Sequence, residues 1–99
     1  MRRRGRVDAN QTEIVGVLRG HGATVVSLAD VGGGVPDLLL GLAGRTYLAE
    51  VKDGRKKPSA QVLTDDQRDF VETWHGGSIV ILRTAEQADR WCRNVRGAI

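Results

Sequence analysis

Ninety-nine residues suffice for one small domain, and 40% hydrophobic with 27% charged residues is ordinary globular usage. That excludes a mostly disordered chain and an array of repeats. The net charge of +3 is unevenly placed: Arg2, Arg3, Arg4 and Arg6 supply +4, so the rest of the chain sums to −1.

The first periodic segment starts at Asn10. Asn10 and Glu13 have the spacing of an N-cap and its N3 partner. Ile14, Val17, Leu18 and His21 follow at helical spacing, and Gly20 and Gly22 supply a stop. A helix is predicted from about Gln11 to Gly20. Ala23 to Leu28 is β-branched at its centre and reads as a strand, and Gly32-Gly33-Gly34 as a loop. Asp37 to Leu42 and Arg45 to Lys52 read as an antiparallel hairpin closed at Ala43-Gly44. Residues 53–63 are polar, basic and contain Pro58, so they form a loop. Thr64 and Gln67 repeat the capping-box spacing, and Asp65 and Asp66 suit the positive end of a helix. Phe70, Val71 and Trp74 share one face of that helix, which Gly76-Gly77 ends. Ser78 to Leu82 is a further strand, and Thr84 caps a last helix whose buried side carries Ala85, Ala88, Trp91, Cys92 and Val95. The order is α, β, β, β, α, β, α. A closing β-α-β unit adds a parallel strand to the hairpin, which predicts a mixed sheet flanked by helices. Residues 1–9 form a basic arm and 10–99 one domain.

Strand residues alternate faces, so Glu50 and Lys52 point the same way near the end of an apolar strand. That pair is either an edge-strand ion pair facing water or part of a site. Asp37, after Pro36, is either a turn-capping aspartate or Glu50's cross-strand neighbour. A hairpin closed at Ala43-Gly44 sets Asp37 opposite Glu50. Two carboxylates in a partly apolar place repel unless a cation intervenes, and oxygen ligands select a hard ion such as Mg²⁺ or Mn²⁺. A lysine beside such an ion can orient or help deprotonate a water and offset phosphate charge. Gln67 either closes a capping box with Thr64 or points at the sheet. Glu13 either caps its helix or adds an acidic ligand.

Pro36-Asp37, twelve residues, then Glu50-Val51-Lys52 resembles the PD-(D/E)XK nuclease signature. Glu13 on an upstream helix, and the downstream run from Leu63 to Phe70 resembling L-S/T-x-x-Q-x-x-F/W, make the chain similar to the VRR-NUC branch over nearly its whole length. The resemblance implies a restriction-endonuclease-like αβββαβα core and metal-dependent phosphodiester hydrolysis. Asp37 and Glu50 would bind Mg²⁺ or Mn²⁺ with the Val51 carbonyl, Glu13 would support the metal, Lys52 would position the attacking water, and Gln67 would orient Lys52 or contact substrate. Standalone members, some of phage or viral type, resemble Holliday-junction resolvases and act as homodimers on branched DNA.

The basic arm and a second knot, Arg55, Lys56 and Lys57, suit phosphate contacts without sequence reading, unless the arm only solubilises. Four aromatics, Tyr47, Phe70, Trp74 and Trp91, are few for a single-strand stacking platform, which turns the expectation towards duplex or junction shape. The single Cys92 excludes a disulfide framework and a cysteine-built zinc site, and no apolar stretch approaches membrane-spanning length. A reduced, cytoplasmic protein is expected, acting in the host cell if phage-encoded. Beside the nuclease stand two other readings: a non-catalytic DNA-binding module on the same fold, and a small structural domain whose charges are surface pairs.

Overall fold

The computed structural model describes residues 9–97; Arg2, Arg3, Arg4 and Arg6 lie outside them. The elements are α1 (Ala9–Gly20), β1 (Thr24–Ser27), β2 (Leu38–Leu42), β3 (Arg45–Val51), a 3₁₀ turn at Pro58–Ala60, α2 (Asp65–Thr73), β4 (Ile79–Leu82) and α3 (Ala85–Gly97). The strands form one mixed sheet in the order β1-β2-β3-β4, antiparallel except for the β3–β4 pair. The order of elements along the chain, the hairpin and the parallel last strand agree with the sequence reading. Among the described residues no helix is long and apolar enough to cross a membrane.

The hairpin is built as its turn chemistry dictates. Ala43 (φ 54°) and Gly44 (φ 77°) both take positive φ, the pattern of a type I′ turn, whose twist matches that of the two strands. Leu42 therefore faces Arg45, and the register runs on to Leu38 opposite Ala49.

One face of the sheet, here the inner face, is covered by α1 and α3. Leu38, Leu40 and Leu42 of β2, Ala49 of β3 and Leu82 of β4 join Ile14 and Leu18 of α1 and Ala88, Cys92 and Val95 of α3 in one buried cluster. Tyr47 meets Trp91 edge-on there, their ring centroids 4.9 Å apart. The opposite, outer face carries the alternate residues, among them Leu39, Leu48, Glu50 and Ile81. There α2 crosses between β3 and β4, held at its start by a complete Thr64–Gln67 capping box.

One expectation is corrected at α1. Ala9 is already helical, so Asn10 is a residue of the first described turn and not the N-cap of a box with Glu13. Asn10 is also buried, 3% exposed. A polar side chain removed from water needs a partner, and its carboxamide finds one in another element.

Candidate active site

The register places the two carboxylates. Leu38 faces Ala49, so the next position along the antiparallel pair sets Asp37 against Glu50. Both lie on the outer face, as does Lys52. Asp37 is held from three sides. Its carbonyl accepts the Leu28 amide at 2.7 Å, continuing the β1–β2 pairing. Its Oδ2 accepts the Val51 amide at 2.8 Å. Pro36 before it is fully buried.

Glu50 is 3% exposed. Burial first, then the hydrogen bond and charge of Asp37, push its pKa up to about 8, with Lys52 pulling the other way. Two carboxylates set this close relieve their repulsion by sharing a proton or a cation. The pair is the donor set of a hard divalent ion, and these residues fit one.

Gln67 joins the parts. Its Oε1 accepts from the Lys52 ammonium and from the Thr64 amide, both at 2.9 Å, while its Nε2 donates to Glu50 Oε2 at 3.0 Å. Its two sequence readings are therefore both realised. The capping box fixes the rotamer, and the fixed rotamer presents an acceptor to Lys52 and a donor to Glu50. The loop before Asp37 packs against the same turn. Gly34 (φ +82°) lies so close to the Asp66 carbonyl that a β-carbon there would collide with it.

Asp37, Glu50, Lys52 and Gln67 are thus brought together, and the Val51 main chain joins them through its amide. Glu13 is not. It is exposed on α1 and lines a separate recess of about 230 Å³ with Arg55, Arg83 and Glu86. Among the described residues no three His, Cys, Asp or Glu side chains gather closely enough to share a metal ion, so Glu13 does not complete a carboxylate trio. Arg55, Lys56 and Lys57 are exposed on the loop that leaves Lys52, with Arg55 paired to Asp53 at 3.1 Å.

The aromatic side chains pair with one another. Phe70 and Trp74 stack at 5.4 Å, and the Trp74 indole N–H donates to Gly77 O. Cys92 is buried in the core, and burial raises its thiol pKa, so it is not poised as a nucleophile.

Sequence reasoning missed Asn10. Its Nδ2 donates to the main-chain carbonyl of Lys52 at 2.8 Å and lies 3.4 Å from that of Arg83. The only signal in the sequence was an asparagine at a helix start, which reads first as a cap. His21, at helical spacing from Ile14 and Leu18, is structural. Arg96 can only donate, so His21 Nδ1 accepts from it at 2.8 Å, and the imidazole proton sits on Nε2, which faces Asp89 at 2.7 Å. That chain ties the end of α1 to α3.

Comparison of the chain with protein-family models, curated proteins and solved structures finds no match.

Proposed function

We propose that this protein is a divalent-metal-dependent DNA endonuclease of the PD-(D/E)XK type, on a restriction-endonuclease-like core of the VRR-NUC branch. The reading rests on one observation: on one sheet face Lys52, Gln67 and Glu50 are joined by hydrogen bonds, and Asp37, fixed by the Val51 amide, stands opposite Glu50.

Asp37 and Glu50 would hold Mg²⁺ or Mn²⁺. The ion, when bound, supplies positive charge that lowers the pKa of a water and offsets charge at phosphorus. The chain's own residues do the rest. Gln67 holds the Lys52 ammonium beside the carboxylates, where its charge stabilises the negative charge that builds on the phosphate oxygens. The Val51 amide fixes the Asp37 carboxylate, so neither acidic group has to reorganise. Arg55, Lys56 and Lys57 hold the DNA backbone without reading bases. Homodimeric action on branched DNA follows from the resemblance and from the two-fold symmetry of a four-way junction, which needs two matched cuts.

The test is cleavage of matched junction, flap and linear DNA with Mg²⁺ or Mn²⁺. Asp37→Ala is expected to abolish cleavage and weaken Mn²⁺ uptake. Lys52→Ala is expected to abolish cleavage and leave Mn²⁺ uptake intact. Unchanged turnover in purified Asp37→Ala removes the assignment.

A further inference from the structure

We propose that Asn10 is a positioning residue, whose buried carboxamide fixes the main chain at Lys52 and thereby the place of the lysine ammonium in the site. The inference rests on the nuclease reading for its consequence in catalysis, but not for its geometry.

The sheet breaks beside the site. In the parallel β3–β4 pair, the Lys52 amide donates to Leu82 O at 3.0 Å. The regular continuation of a parallel ladder would return an amide from Thr84 to the Lys52 carbonyl. At Thr84 the chain turns into α3 instead, and the Thr84 hydroxyl accepts the Gln87 amide at 3.0 Å. The ladder thus loses its next donor beside the residue whose side chain enters the site. Asn10 supplies the donor from α1, at 2.8 Å, and the same Nδ2 stands 3.4 Å from the Arg83 carbonyl, just past β4, which also accepts the Gly54 amide at 3.0 Å.

Asparagine is a poor helix former and an uncommon buried residue. Its place in the first described turn of α1, 3% exposed, is accounted for by this bond. Lys52 is consequently held at both ends. Asn10 fixes its carbonyl from the inner layer of the molecule, and Gln67 fixes its Nζ from the outer layer at 2.9 Å. The side chain between them has four rotatable bonds, so the ammonium keeps one place only while both ends are anchored. Misplacement of a reacting group by about 1 Å can cost on the order of 100-fold in rate.

The test uses the full chain, ¹⁵N-labelled, as wild type, Asn10→Ala and the isosteric Asn10→Asp. Asn10→Ala removes the donor, and Asn10→Asp sets a carboxylate against two carbonyls, so the second loss is the larger. For Asn10→Ala, kcat of Mn²⁺-dependent cleavage is expected to fall about tenfold or more. KM for DNA and Mn²⁺ affinity stay within about twofold, because neither the phosphate-binding residues nor the carboxylates are touched. The Gln67 carboxamide resonances shift as Lys52 moves. A wild-type kcat overturns the proposal, as does a loss shared equally by kcat, KM and Mn²⁺ uptake, which is the signature of general disorder in the site. If the wild type cleaves no DNA, the nuclease reading fails. The position of Asn10 is then decided by the resonances alone, and unmoved Gln67 signals in Asn10→Ala overturn it. If neither variant folds, the wild type decides: Asn10 carboxamide protons that exchange as slowly as the Lys52 amide sustain the proposal, and fast exchange overturns it.

Discussion

Glu50 is removed from water and faces a second carboxylate, so both its burial and its neighbour favour the protonated form. The consequence for pH follows by linkage. Folding raises its pKa from 4.5 to about 8, so the folded protein binds the extra proton across that window. The stability this group contributes is complete below 4.5 and is lost as the pH rises towards 8. Each pH unit of the window is worth about 1 kcal/mol, or several degrees in Tm for a domain of this size. Thermal melts of the metal-free protein are therefore expected to fall with pH across the window. Glu50→Gln, neutral at every pH, flattens that slope and melts higher than wild type at the alkaline end. Added Mn²⁺ restores the wild type there and leaves Glu50→Gln unmoved. A flat profile for metal-free wild type contradicts this account of the site.

The site is assembled by short contacts between elements, and Gly34 is the tightest of them. Its positive φ already costs an L-residue about 1–2 kcal/mol, and a β-carbon would also strike the Asp66 carbonyl. That carbonyl belongs to the turn that carries Gln67, and Asp37 follows Gly34 by three residues. Gly34→Ala is thus expected to displace the Asp37 loop from α2, lowering Tm by several degrees and kcat by more than the fraction of unfolded protein explains. Gly44→Ala is the control. Gly44 has a similar φ of +77° but open space around it, at the far end of the hairpin. That variant is expected to lose stability and retain the kcat of the folded fraction. Equal effects on kcat in both variants contradict a positioning role for the Gly34 approach.

At the scale of the whole molecule, the described residues leave one apolar layer partly uncovered. Sheets whose two faces are both apolar are normally covered on both. Here α1 and α3 cover the inner face, while α2 on the outer one contributes no buried residue. Towards β1 the outer face presents Leu39 and Val26, the latter 46% exposed. A second copy related by a two-fold axis would bury this surface, in keeping with the proposed dimer. Sedimentation is expected to give a dimer that Val26→Lys converts to a folded monomer. A monomeric wild type at micromolar concentration contradicts it. The basic arm belongs to this level too. Deleting residues 1–6 is expected to weaken DNA binding alike on all sequences. It should also reduce the log–log salt slope by about one for each phosphate that the arm neutralises. Unchanged affinity and slope would make the arm a solubilising tail.

Most of the site was legible in the amino-acid sequence because the forces that place it are local. A two-residue turn sets hairpin register, so Ala43-Gly44 was enough to bring Asp37 opposite Glu50. A capping box orients its own N3 side chain, so the spacing of Thr64 and Gln67 already held the rotamer that meets Lys52. Alternation along β3 put Glu50 and Lys52 on one face. What the sequence left open depends on contacts between segments far apart in the chain. Asn10 lies 42 residues from Lys52 and His21 lies 68 from Asp89. No local pattern tells a buried donor from a helix cap, since the same asparagine satisfies either role. Glu13 was drawn towards the site by its place on α1. The docking of that helix turns it instead into the recess of Arg55 and Arg83. Which face of a helix meets a sheet, and which carbonyl a strand leaves unpaired, are settled only when the layers pack.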